Sequence, residues 1–291
     1  MTFREKVAVY YKGSKGAKRK VAEFFLLNPN EVAFMNAEQV ASQVGVSPST
    51  VTRCVTEMGF EGYYDFLDAL RDSVKRRMAP KERLEKRLGP DGTSEVFGFR
   101  ESLESDSRNL DKVLSLNSSE NISLTVEALE GAPKINLFTS RSSYPTLSLF
   151  TLILSRIRPG VHMLQEAEGR LPEELVDVEP DDLFFVTNLP RYARITLDCA
   201  EYAHERGCKV IAVTDSPDSP LLRFANIALY VPYDSYSFFN SHLASLALYN
   251  ALAVALSLKV GDSSLKRLER HDELVRRFNP LFMQESKEAA R

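Results

Sequence analysis

Two groups of residues in this chain have the types and spacing to do chemistry. The first lies in VASQVGVSPSTVTRCVTEMGF (40–60). If a helix starts at Pro48, a step of 100° per residue puts Val51, Cys54, Val55 and Met58 on one side. Ser49, Arg53 and Thr56 fall on the other, flanked by Thr50, Thr52 and Glu57. Small hydroxyls around one guanidinium suit the major groove, where Arg53 would meet a base edge or a phosphate. Ser47, at the N-cap, completes the expected DNA-contacting set of Ser47, Ser49, Thr50, Thr52, Arg53 and Thr56.

The second group sits in loops that follow apolar runs. TSRSSYP (139–145) offers Ser140, Ser142 and Ser143 as hydroxyls and Arg141 as a fork for a phosphate or carboxylate. TNLPRYAR (187–194) adds Thr187, Asn188, Arg191 and Tyr192. These eight residues are the expected effector-binding set. A third loop, TDSPDSPL (214–221), reads as helix capping by Ser219 ahead of Pro220. Aldose–ketose isomerisation would need a base between adjacent carbons, and Glu166, Glu168 and His242 are the candidates by position. The two glutamates stand in a polar loop, QEAEGR (165–170), and read as solvated. His242 reads as a helix-capping or interface residue, and no convergent acid–base pair is visible, so no catalytic residue is expected.

Positioning these residues requires particular elements. Asn36 is a cap for a helix whose inward residues are Val40, Ala41 and Val44. Gly45 permits a left-handed turn, Val46 plugs it, and Pro48 costs nothing at a first helical position. Upstream, a helix from about Lys15 ends at Asn28-Pro29, and Val21, Phe24, Phe25, Val32 and Phe34 read as one packed face. A charged helix is expected over 63–88, a linker at GPDGTS (89–94), and helices over 95–116 and 119–130. After Pro133 the texture changes. Apolar runs at 134–139, 161–164, 182–187, 209–214 and 227–231 alternate with helical patterns, the clearest at 191–206 and 240–258. Such alternation predicts βαβ crossovers and a parallel sheet covered on both faces. The expected fold is an all-α helix-turn-helix domain over 1–80, a helical linker over 81–118, and an α/β domain over 119–280 built as three αβα layers.

Bulk properties bound the function. Residues 1–90 carry 16 Lys and Arg against 11 Asp and Glu, a net of +5, whereas the remainder nets −8. Only the first part is therefore expected to meet a polyanion. Cys54, Cys199 and Cys208 have no metal-ligand spacing and read as buried thiols in a reducing cytoplasm, with no metal and no cofactor. The N-terminus has no signal-peptide core. The apolar run Leu243–Leu258 is broken by Ser245, Asn250 and Ser257, which predicts a buried helix and no membrane span.

VASQVGVSPSTVTR (40–53) and MGF-EGYYDF (58–66) resemble the RpiR family of bacterial regulators, and the later half resembles a SIS (sugar isomerase) domain. The resemblance implies a double-stranded DNA operator as one partner, a phosphosugar or other small anion as another, and a homodimer or tetramer. Its alternatives are a sugar-phosphate isomerase, or a SIS domain used only for dimerisation. The chain departs from the usual SIS loops: Thr139 and Arg141 stand where glycines are expected, and NLPRY (188–192) replaces the S-G-x-T core. In this subgroup, arginines would neutralise an anion that backbone amides usually hold.

Overall fold

A computed structural model describes residues 3–77, 80–88 and 98–278. The N-terminal part is a cluster of helices: α1 (Phe3–Gly13), α2 (Gly16–Leu27), α3 (Pro29–Val32), α4 (Ala37–Val44), α5 (Pro48–Glu57) and α6 (Tyr63–Arg77). No strand occurs among its described residues. At the end of α2 the Asn28 amide N–H and its Nδ2 both donate to the Phe24 carbonyl. Pro29 then starts α3. A capping box opens α4, with Gln39 N donating to Asn36 Oδ1 and Asn36 N to Gln39 Oε1, each at 2.8 Å. Gly45 follows at φ 74°, ψ 43°, and Ser47 Oγ accepts from Thr50 N at the start of α5.

These helices enclose an aromatic core in which Phe66 contacts Phe3, Phe25, Phe60 and Tyr63, with Phe25 4.4 Å away between ring centres. Two sequence expectations are corrected here. The helical pattern begins before Lys15, because α1 places Phe3 and Val7 in this core. Phe34 does not share the packed face: α3 ends at Val32, the chain turns, Ala33 is buried instead and Phe34 is 75% exposed.

The expected helix over 63–88 is found as α6 and α7 (Pro80–Leu88); the GPDGTS linker lies outside the described residues. Then come α8 (Gly98–Leu116) and α9 (Ser119–Gly131), leading into the sheet. β1 (Ile135–Phe138), β2 (Val161–Met163), β3 (Leu183–Thr187), β4 (Lys209–Thr214) and β5 (Ile227–Tyr230) form one parallel sheet in the order β2-β1-β3-β4-β5. Its crossovers contain α10 (Tyr144–Ile157), α11 (Leu171–Leu175) and α12 (Arg194–Glu205); α13 (Leu243–Val260) and α14 (Asp262–Phe278) follow β5.

Strand alternation divides the core into the two faces of a three-layer αβα domain. Ile135, Leu137, Leu183, Phe185, Ile211 and Val213 pack with residues of α9, α10 and α13. Phe138, Phe184, Val186, Val210 and Ala212 pack with Cys199, Ala200 and Ala203 of α12. By length and composition α13 could cross a bilayer, but its Leu248, Tyr249, Leu252 and Leu256 are buried against the sheet. A tight approach before β2 fixes Gly160 at φ 71°, where a Cβ would lie 2.4 Å from the Pro133 carbonyl oxygen.

Asparagines tie α8 and the start of α9 to this domain. Asn117 exchanges two hydrogen bonds of 2.8 Å with the Tyr230 backbone, so a side chain pairs the outer edge of β5. Asn121 Nδ2 donates to Ala228 O and Asn109 Nδ2 to Asp234 O. Between residues 81 and 118 the described helices are the rest of α7 and all of α8, and α8 is seated on the C-terminal domain.

Candidate functional site

Packing sorts the residues of α5 by face. Val51, Cys54 and Val55 are fully buried, which leaves Ser49, Thr52, Arg53 and Thr56 exposed and Thr50 half-buried. Ser47 Oγ lies 2.9 Å from Ser49 Oγ and 2.8 Å from Thr50 Oγ1. Thr52 and Thr56 donate to the carbonyls of Pro48 and Thr52. Their hydroxyl oxygens remain able to accept. Arg53 is exposed. Glu57 is committed inward: it accepts from Lys18 Nζ at 2.7 Å and from the Tyr10 hydroxyl, which clamps α5 to α1 and α2. The Lys18 bond, reinforced by the Tyr10 bond, holds the Glu57 carboxyl below its ordinary value.

In the C-terminal domain the sheet order reverses between β1 and β3, and a crevice forms beyond the carboxyl ends of strands at such a point. A cavity of about 200 Å³ lies there. That is room for several waters or a small metabolite. Its walls include Ser140, Arg141, Ser142 and Ser143 after β1, and Asn188 and Arg191 after β3. Leu189, Pro190, Tyr233, Phe238, Phe239 and Asn240 contribute the less polar side, and Pro80 and Arg83 come from α7. Three arginines line one small space, and no carboxylate or imidazole residue is among its described lining residues. Such a lining attracts an anion.

The loops are held by specific bonds. Arg141 has φ 59°, the left-handed region that favours glycine, at the position where the sequence departs from the glycine pattern. Directly behind it, α10 begins with Pro145 in its first turn, and the positive end of the helix dipole adds to the cationic wall. Asn188 brackets Ala193, accepting from its N–H at 3.0 Å and donating to its carbonyl at 3.1 Å. This bracket delays α12 to Arg194, three residues later than expected from the sequence.

Six of the eight expected effector residues therefore line one cavity. The other two do not. The Thr187 hydroxyl is buried 2.6 Å from the Tyr249 hydroxyl, because the last residue of β3 still points into the helix layer. The Tyr192 hydroxyl donates to Asp215 Oδ1 at 2.7 Å and joins the second loop to the third. In that third loop Ser219 Oγ accepts from Leu221 N and from Thr214 Oγ1, as the capping reading expects. Ser140 Oγ is 3.2 Å from Thr196 Oγ1, so its hydroxyl braces α12.

Sequence reasoning missed Arg83, Tyr233, Phe238, Phe239 and Asn240. SYSFFNS (235–241) is an aromatic, polar loop without periodicity, and that composition before the long apolar helix was the available signal. Arg83 gave none, being one cation in a charged helix. Glu166 is exposed and outside the cavity wall, and the Glu168 side chain lies outside the described residues. His242 occupies the cap position of α13 without making a side-chain cap bond, and burial pushes its ring below the ordinary histidine value. Burial pushes the Cys199 thiol up to about 12 and the Cys208 thiol up to about 11, which keeps both as thiols at neutral pH.

A helix-turn-helix domain model of the rpiR family matches residues 1–77, and a SIS domain model matches residues 128–255. The sugar isomerase domain of an RpiR transcription factor from Sphaerobacter thermophilus is similar at 25% identity, with a TM-score of 0.58 over 60% of this chain and 97% of that one. The Vibrio vulnificus NanR protein complexed with ManNAc-6P is similar in fold across 95% of this chain and 99% of that one, at 19% identity and a TM-score of 0.58. A protein from Listeria monocytogenes described as a candidate sugar-phosphate isomerase shares the fold at 16% identity, with a TM-score of 0.54 over 60% of this chain and 95% of that one.

Proposed function

Because the chain belongs to the RpiR family, an rpiR-type helix-turn-helix domain joined to a SIS domain, we propose that it is a DNA-binding transcriptional regulator whose C-terminal domain senses a small phosphorylated sugar. The observation that carries the sensing half is the cavity at the β1/β3 crevice, walled by Arg83, Arg141 and Arg191. A phosphate suits this charge, and the hydroxyls of Ser142 and Ser143 suit a sugar. The fold likeness to NanR with its bound ManNAc-6P supports the same ligand class. On the DNA side we assign Ser47, Ser49, Thr50, Thr52, Arg53 and Thr56 to the groove.

The lining favours holding an anion over turning it over. Proton transfer between adjacent sugar carbons needs a base, and guanidinium, hydroxyl and amide groups are poor ones at neutral pH. We assign residues 1–80 to DNA binding, 81–118 to the connection and 119–280 to the effector domain. We also propose a homodimer, with exposed Leu149 and Leu152 of α10 and Val254 and Leu258 of α13 as its apolar face.

The test is fluorescence anisotropy of the full chain on DNA from around its own gene, at fixed salt, against a panel of hexose 6-phosphates, pentose 5-phosphates and sugar acids. At least one sugar phosphate is expected to change operator affinity by about fivefold or more. A uniform response below about twofold across the panel overturns the sensing role. Turnover of any panel member to its isomer, followed by NMR, overturns the assignment as a non-catalytic sensor.

A further inference from the structure

The cavity has one wall that does not come from the SIS domain. Pro80 and Arg83 of α7 line it together with Arg141 and Arg191. Arg83 Nη1 donates to Asn240 Oδ1 and Nη2 to Phe239 O, both at 2.9 Å, across more than 150 residues of chain. Asn240 in turn donates through Nδ2 to the Pro190 carbonyl. A single hydrogen-bonded path therefore runs from α7, through Asn240, to the 187–194 loop that carries Arg191. On its other side α7 is separated by two residues from α6, whose Phe66, Leu67 and Leu70 are buried in the DNA-binding core.

We propose that Arg83 is an anion-binding residue of the effector site, supplied by the connecting helix, and that it makes the position of α7 depend on whether the cavity is occupied. The proposal rests on the reading of this cavity as an anion site. A planar guanidinium at a cavity wall presents its fork to carboxamide and carbonyl acceptors, and an incoming phosphate offers stronger, charge-assisted acceptors to the same fork. Binding the anion therefore competes with Asn240 and Phe239 for the Arg83 donors, the two bonds by which this side chain ties α7 to the 239–240 segment. The ligand then acts on the segment leading into α6 through one side chain, a physical link between effector and DNA-binding core.

Inorganic phosphate is the probe, titrated into the full chain and read by thermal shift and by hydrogen exchange of peptides covering 63–77 and 80–88. The variants are Arg83→Met, which keeps the aliphatic stem, Arg83→Lys, which keeps the charge, and Arg141→Ala as the reference for the cavity itself. Phosphate affinity is expected to fall about tenfold in Arg83→Met and to be partly restored in Arg83→Lys, with phosphate-dependent exchange in 63–88 lost in the Met variant. If Arg83→Met binds phosphate within about twofold of wild type while Arg141→Ala binds about tenfold more weakly, the cavity reading stands and the role of Arg83 is overturned. If both Arg83 variants lose affinity equally, Arg83 only docks α7 and the direct contact is overturned. If wild type does not respond to phosphate at all, the anion-site reading fails and this inference with it.

Discussion

Arg141 carries a backbone cost. Its φ of 59° places a residue with a Cβ where glycine is favoured, at a cost of about 1–2 kcal/mol. A residue held there against that cost is explained if the guanidinium is needed in the cavity. Arg141→Gly is therefore expected to leave stability unchanged or raise it by up to about 1 kcal/mol, while phosphate affinity falls about tenfold. Chemical denaturation and titration of the same samples check both halves, and a clear loss of stability contradicts the strain argument. At the other end of the molecule, Arg53 is exposed on a helix whose opposite face is fully buried. Arg53→Ala should reduce specific operator affinity by about 1–3 kcal/mol without moving the melting temperature. Unchanged affinity would remove α5 from the groove.

Elements hold these residues through a few local devices. Gly160 is one, since β1 and β2 can pair only if the chain passes within contact of Pro133. Gly160→Ala combines a backbone clash with a left-handed φ, so a destabilisation above about 1 kcal/mol is expected in urea unfolding. The start of α13 is another. His242 is half-buried there, with both ring nitrogens lacking a hydrogen-bond partner among the described residues. Burial depresses its pKa, so between the ordinary value of 6.5 and its folded value the unfolded chain binds the extra proton. Stability should therefore be level above pH 6.5 and decline as pH falls below it. His242→Asn should flatten that decline, and an identical pH profile in the variant would exclude His242 as its source.

At the scale of the whole molecule, the helical core around Phe66 and the two cores flanking the sheet are separate clusters. Calorimetry of the full chain is expected to show two transitions rather than one. Saturating phosphate should raise the transition of the sheet domain, by about 2.7 kcal/mol at a hundredfold excess over the dissociation constant. The helical transition should move with it only to the extent that α7 couples the two. A single transition that resists every anion would contradict the separation of the cores and the sensing role together. The basic excess of residues 1–90 belongs to this scale too, as it concentrates attraction for DNA in the first unit while the acidic remainder stays off the polyanion.

What depends on neighbours along the chain was legible in the residues themselves. Asn36, Gly45, Ser47 and Pro48 specify the turn and caps around α5 because capping acts over three or four residues. Strand–helix alternation after Pro133 specifies a parallel sheet because period and composition are local. The same locality is why Ser140, Arg141, Asn188 and Arg191 could be named, since strand ends in such sheets face the crevice. The rest depended on packing between segments far apart along the chain. Thr187 was withdrawn from the cavity by one step of strand alternation toward Tyr249. Phe34 was exposed because α3 stops after one turn. Arg83 was brought to Asn240 although 157 positions separate them. No periodicity records a contact between a charged helix and an aperiodic loop so far along the chain, because it depends on how α7 packs rather than on what α7 is made of.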